Sequence, residues 1–269
     1  DQWIFYFNYE TANCVNPPND DSIPINSITG ATRIATSDDQ GGETGSDMLL
    51  LELSVRPQDN FEVYYAGWDR TDYNVLNPPP SSGFSIHHPA GDVKKISTFN
   101  DQLISTSFGS NPLLNSHWQV IWSSTTNGHG VTEGGSSGGA LFNSSQQVIG
   151  TLTGGSSTCT DPGSPDEYGK FSYHWSSNGS GANRQLAPWL DPTSSGATTL
   201  SGRRFATNTS RPAAPGRYTA NTIPLIVKVY PNPSADRFTL EMLPKLATGA
   251  TVEVYNTIGG RVNARVNRM

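Results

Sequence analysis

The sequence predicts an all-β protein with one short helix, and three observations carry that prediction. Charged residues make up only 15% of the 269 residues, while 27 glycines and 19 prolines supply frequent turn positions. Short runs of alternating apolar residues recur along the chain, separated by Gly, Pro, Asn or Ser clusters. Only one segment has helical spacing.

The elements follow in order. "WIFYFNYE" places Trp3, Phe5, Phe7 and Tyr9 on one face of a strand. "DMLLLELSV" (47–55) is nearly continuous and reads as a strand buried on both faces. "NFEVYYAGWD" (60–69), "HWQVIWSS" (117–124), "QQVIGTLTGG" (146–155) and "YGKFSYHW" (168–175) read as further strands. The helix candidate is "SGANRQLAPWL" (180–190), with Leu186 and Leu190 at i,i+4 spacing and Pro192 as its stop. Such a series suits a barrel or a sandwich. Residues 1–201 form the first domain in this reading. Residues 202–223 lack apolar periodicity and read as a linker. Residues 224–269 hold two turn-broken alternating stretches, "LIVKVYPNPSADRFTLEM" and "TVEVYNTIGGRV", expected to form part of a small β-sandwich.

The net charge is −6 and no basic run exceeds two residues, which argues against nucleic acid as a partner. No apolar run reaches membrane-spanning length, and no signal peptide is expected within these residues. The chain opens inside a strand pattern, so a processed chain or a fragment is expected. Cys14 and Cys159 read as one long-range disulfide or as two buried thiols. No cofactor or metal is expected.

"GHGVTEGGSSGGALF" (128–142) carries the chemistry. A nucleophilic serine needs an exposed Oγ on a tight turn, backbone N–H groups facing a developing oxyanion, and open space for substrate. Ser137 meets these needs, with Gly135 and Ser137 itself as the oxyanion donors and Gly138 and Gly139 leaving room. A glycine- and serine-rich loop of no chemical role is the competing reading.

"GGSSGGALF" resembles the nucleophile segment of chymotrypsin-type serine proteases, with Ser136 where most members carry Asp. More closely, "FYFNY" (5–9), "SDMLLLEL" (46–53), "AGWDR" (66–70), "IHHP" (86–89) and "GVTEGGSSGG" (130–139) resemble segments of the bacterial lysyl endopeptidases in order and spacing. The resemblance runs from residue 1 to about 200. It implies two antiparallel β-barrels, the first incomplete here, with the active site between them. Asp47 then matches the triad acid, which holds the histidine tautomer and stabilises the imidazolium. Asp38 and Asp39 are its neighbours in a polar loop. The general base is not expected among His87, His88, His117, His129 and His174. It is expected upstream of Asp1, and "IHHP" reads as a structural loop. Ser136 is expected to point away from substrate.

The same resemblance implies a secreted serine endopeptidase acting on protein or peptide substrates with a basic P1 residue. Asp166 in "SPDEYG" matches the acidic residue of the specificity pocket, and Thr153, Gly154 and Gly155 in "LTGG" line the substrate strand. Asp161 and Glu167 share the loop and are expected to face solvent. Glu133 also stands near the nucleophile. Thr153 replaces the family's histidine, and Phe108 is the aromatic residue nearest the position of its stacking partner. Basic P1 is therefore expected, without a strict preference for Lys over Arg. Cys14 and Cys159 match cysteines that pair with partners near the mature N-terminus, so two separate bridges are expected, as in an extracellular protein. "VYPNPSADRFTLEM" and "VEVYNTIGGRV", with Tyr230, Pro231, Asn232, Pro233, Val254, Tyr255, Asn256 and Gly259, are similar to the C-terminal sorting domain of type IX secretion cargo. That implies a bacterial protein, secreted or at the cell surface, which engages that export machinery. An inactive homologue used for binding and a surface adhesin are the alternatives.

Overall fold

The computed structural model describes residues 3–12, 14–16, 26–73, 77–110 and 115–204, together with the backbone of four strands beyond residue 225. The chain divides into two compact units, Asp1–Thr207 and Asn208–Met269.

Short strands dominate the first unit. They are β1 (Ile4–Phe7), β2 (Asn26–Thr29), β3 (Ala31–Thr36), β4 (Leu49–Leu53), β5 (Tyr64–Tyr65), β6 (Gly67–Asp69), β7 (Gly83–His87), β8 (Lys95–Phe99) and β9 (Ile104–Thr106), followed by β10 (His117–Val120), β11 (Ser124–Thr125), β12 (Gly128–His129), β13 (Ala140–Asn143), β14 (Gln147–Gly155) and β15 (Asp166–Lys170). Helices α1 (Phe171–Ser176) and α2 (Ala187–Leu190) come next, then β16 (Thr199–Leu200) and β17 (Arg203–Arg204). The all-β class with short helices is therefore observed.

The main sheet has nine strands. Its path runs β8-β7-β13-β14-β15-β10-β9, with β6 joined to β14 and β16 to β6. The path does not close into a ring among the described strands, so the two-barrel description rests on family resemblance rather than on these pairings. The remaining pairs in this unit are β1-β2, β3-β4, β11-β12 and β5-β17.

β14 stands between two apolar cores. Ile149 and Leu152 join Phe99, Leu103, Trp118, Val120, Trp122, Leu141 and Tyr168 in one of them. Val148 packs against the other, formed by Ala35, Met48, Trp68, Phe171, Trp175 and Leu186. A central strand with apolar side chains on both faces is what the run "VIGTL" demands. Near its end β14 bulges: Leu152 opposes Tyr168 and Gly154 opposes Glu167, which leaves Thr153 outside the β15 register. Bulges of this kind re-aim one side chain and recur beside active sites.

Three expectations about elements are corrected. "YGKFSYHW" is not a single strand: β15 ends at Lys170 and α1 begins at Phe171. Its buried residues Phe171, His174 and Trp175 have i,i+3,i+4 spacing, which a helix satisfies and a strand does not. The run 180–190 holds only a 3₁₀ turn at Ala182–Arg184 and the single-turn α2, with extended Gln185 between them. Finally, β4 is not buried on both faces. Leu49 is 47% exposed, because β4 pairs with β3 alone among the described strands.

In the second unit, β18 (Ile226–Tyr230) pairs antiparallel with β19 (Thr239–Leu243), and β20 (Val254–Tyr255) with β21 (Arg261–Val262). The "PNP" residues 231–233, Asn256 and Gly259 lie outside the described residues. No described helix is long and apolar enough to cross a membrane.

Candidate active site

The nucleophile segment crosses from β12 to β13 through a turn built on glycines. Gly135 and Gly138 take φ of +97° and +80°, a region that side chains with Cβ rarely adopt. Within residues 133–138 only Ser136 is buried, at 2% exposure, whereas Ser137 faces solvent. The N–H groups of Ser136, Gly138 and Gly139 donate to Glu133 O (3.0 Å), Leu152 O (2.8 Å) and Ser136 O (2.9 Å). Among the described residues the N–H groups of Gly135 and Ser137 donate no hydrogen bond. The turn thus presents one exposed hydroxyl beside two uncommitted donors.

Asp47 lies at the far end of the β3–β4 connection, half-buried, with φ of +54°. Its N–H donates to Asp39 Oδ2 at 2.7 Å. Burial and the nearby Asp39 carboxylate hold its carboxyl above the ordinary value, partly offset by a hydrogen bond from the Thr153 side chain. The two neighbouring aspartates have structural tasks. Asp39 is buried and also accepts from Gly42 N–H at 3.1 Å, which fastens the loop. Asp38 is exposed and pairs with Arg184 at 3.0 Å.

Asp166 opens β15 and has 0% exposure. Its Oδ2 accepts from Trp122 Nε1 (2.6 Å), Thr132 Oγ1 (2.8 Å) and Ser157 Oγ (2.7 Å), and its Oδ1 accepts from Ser157 N–H (3.1 Å). Four neutral donors therefore compensate a carboxylate removed from water. Gly155 is required opposite it, since a Cβ there would sit 1.9 Å from Asp166 Oδ1. Asp161 is exposed. Glu167 departs from expectation: it is half-buried on the sheet, and burial raises its carboxyl above the ordinary value.

β14 is where these parts meet. Gly138 bonds to Leu152 of β14, Thr153 reaches Asp47, and Gly155 pairs with Asp166. Thr132, in the same segment as Ser137, bonds directly to Asp166. Phe108 packs beside this strand: a Cβ on Gly154 would lie 3.3 Å from its ring.

None of the five histidines bonds to Ser137 among the described residues. His87 is bonded at Nδ1 to Ser136 (2.9 Å) and at Nε2 to Ser97 (3.1 Å). His117 engages Ser116 (2.8 Å) and Thr153 (3.0 Å), and His174 engages Ser46 (2.7 Å) and Thr151 (3.0 Å). His88 and His129 bond to the carbonyls of Asp92 and Trp122. Burial holds His87 and His117 down at about 4 and His174 at about 3, so all three are neutral near pH 7.

The disulfide expectation is not supported. Cys14 and Cys159 are both free and exposed, neither bridged nor buried. The donors around Asp166 and the histidine–serine contacts were missed from sequence. Thr132 lies inside the quoted "GVTE" string, yet nothing local marks it as a partner of a residue in a distant strand.

Comparisons with known proteins place the chain among its relatives. Residues 1–169 match the model of the lysyl endopeptidase C-terminal domain, and residues 228–268 match a secretion system C-terminal sorting domain. A lysyl endopeptidase of Pseudomonas aeruginosa is 33% identical over 177 residues, which is 64% of this chain and 34% of that protein. The chain thus spans about a third of the length of that relative. The sorting domain marks a bacterial protein that is secreted or held at the cell surface. With its β-rich sheet, glycine-built serine turn and matching segments, the chain belongs to the lysyl endopeptidase family of proteases.

Proposed function

We propose that residues 1–201 act within a secreted serine endopeptidase that cleaves after basic residues through an acyl-enzyme on Ser137. One observation carries this reading: Ser137 is the exposed hydroxyl of a turn whose Gly135 and Ser137 N–H groups have no acceptor of their own among the described residues. Those two donors would hold the oxyanion of the tetrahedral intermediate. Asp47 is the triad acid, since Asp38 and Asp39 are committed elsewhere.

In this reading the general base is a histidine outside residues 1–269. Two observations support this: none of the five histidines bonds to Ser137 among the described residues, and both ring nitrogens of His87, His117 and His174 already have hydroxyl partners. In the reaction that histidine takes the Ser137 proton as Oγ attacks the scissile carbonyl. It then returns the proton to the leaving amine, and water hydrolyses the acyl-enzyme.

Asp166 binds the P1 cation. Three donors share its Oδ2 while Oδ1 has one, so Oδ1 retains acceptor capacity for an ammonium or guanidinium. Thr153, Gly154 and Gly155 form the strand beside which substrate lies. Residues 224–269 direct export through the type IX machinery, and the linker that precedes them begins after β17, which pairs with β5 in the first unit.

The test is a P1-varied peptide library digested by the protein at native length. Cleavage after Lys and Arg, lost in Asp166→Asn, supports the reading. Selectivity that survives Asp166→Asn but collapses in Glu133→Gln moves the pocket to the nucleophile loop.

A further inference from the structure

We infer that His87 positions the nucleophile turn: through its Nδ1 it holds the buried Ser136 hydroxyl, and so sets Ser137 and the two free N–H groups in place. This rests on Ser137 being the nucleophile.

Hydrogen-bond direction settles the tautomer. Ser97 Oγ lies 3.1 Å from the Val131 carbonyl, which only accepts, so the Ser97 proton goes there. Ser97 Oγ must therefore accept from His87, which places the ring proton on Nε2. Nδ1 is then a lone-pair acceptor, and the Ser136 hydroxyl donates to it at 2.9 Å. Ser136 Oγ in turn accepts the Glu133 N–H at 3.3 Å. A directed chain runs from Glu133 N–H through Ser136, His87 and Ser97 to Val131 O, closing the loop that carries Ser137.

Packing alone does not explain this arrangement. β7 and β8 bury Ser85, His87 and Ser97 and leave Ile86 and Ile96 exposed. Burial of apolar groups favours the reverse, and buried polar groups are tolerated only when bonded. The turn needs such an anchor. Gly134, Gly135, Gly138 and Gly139 offer no side chains, and Ser136 is its one buried side chain. The rest of "IHHPAG" supports it from the same side: Ala90 N–H donates to Gly134 O at 2.7 Å, and a Cβ on Gly139 would lie 3.1 Å from His87 Cβ. His87 is thus a positioning residue and not the base. Its neutrality follows from burial, with His88 opposing and Asp166 favouring a proton.

The experiment uses the protein at native length. ¹⁵N NMR of histidine-labelled protein should show Nδ1 unprotonated and Nε2 protonated on His87. Ser136→Ala and His87→Leu should each lower kcat about tenfold with KM within about twofold, the size of one lost hydrogen bond in the transition state. The double variant should be no worse than the poorer single one. His87→Asn, whose Oδ1 can replace the Nδ1 acceptor, should recover kcat to within about threefold. A protonated Nδ1, additive losses, or an unchanged kcat in Ser136→Ala would overturn the inference. Should Ser137→Ala keep its turnover, the nucleophile assignment fails instead, and the tautomer result is read independently of it.

Discussion

The turn that presents Ser137 and the loop that presents Asp47 are anchored in the same way and braced differently. In each, the exposed or half-exposed residue proposed for catalysis follows a buried serine, and that serine bonds to Nδ1 of a buried histidine: Ser136 to His87 at 2.9 Å, Ser46 to His174 at 2.7 Å. Around Asp47 there is reinforcement. Asn178 also contacts Ser46, Asp39 accepts the Asp47 N–H, and Ser37 and Met48 exchange bonds at the base of the loop. Within residues 133–138 the glycine turn has only Ser136 as a buried side-chain anchor among the described residues, the Thr132–Asp166 bond lying just before it. An over-determined loop spreads the loss of one contact over many, whereas a turn with one anchor concentrates it in the geometry of the site.

The largest effect that breaks the comparison falls on the residues proposed for catalysis. In the native-length protein Ser137→Ala should cut turnover about a millionfold, since no other nucleophile replaces it. Asp47→Asn should cost about ten-thousandfold, measured as kcat on a basic-P1 ester or amide. The same change should raise the melting temperature at neutral pH. The folded carboxyl is held above its ordinary value, so its ionised form is penalised in the fold and the amide is not. That gain should vanish at a pH low enough to protonate Asp47 in both states. A lowered melting temperature would show that Asp47 braces the loop instead.

Asp166→Asn should reduce kcat/KM for basic substrates by about 10²- to 10³-fold, in the range for losing one partner of a buried charge pair. Asp161→Asn, on an exposed turn, should leave it within about twofold. Glu167→Gln sits between these two, because Glu167 is half-buried beside Asp166.

Smaller effects sharpen the contrast between the anchors. Ser46→Ala should be seen mainly as a stability loss of about 1–2 kcal/mol in denaturant unfolding, while Ser136→Ala should be seen mainly in kcat. The buried histidines give the fold a pH dependence of definite sign. Each is neutral when folded, yet takes a proton in the unfolded chain below about pH 6.5. Their contribution is complete above that pH and declines as the pH falls through it. The decline ends where the folded groups protonate, at about 4 for His87 and His117 and about 3 for His174. Urea unfolding at pH 7.5, 5.5 and 4.5 should show the fall, and replacing His174 by Asn should flatten it.

What the sequence revealed depended on how far its signals reach along the chain. The Ser137 turn was legible because its glycines and both serines are contiguous, and β14 because its apolar run is long. The strand reading of 168–175 failed at Phe171, since Phe171, Tyr173 and Trp175 alternate as a strand would while Phe171, His174 and Trp175 have helical spacing. Only contact with Trp68 and Leu186 selects the helix. The donors around Asp166 and both histidine anchors join residues from connections, strands and a helix far apart along the chain. No local pattern announces that Trp122, Thr132 and Ser157 converge on one carboxylate.

The central claim is that Ser137, and not its buried neighbour, is the nucleophile. The direct measurement is reaction of the native-length protein with a fluorophosphonate, followed by peptide mapping of the adduct. The account predicts a single adduct on Ser137, formed in wild type and absent in Ser137→Ala, with peptidase activity falling in step with labelling. An adduct on Ser136, or full peptidase activity in protein that does not label, would contradict it.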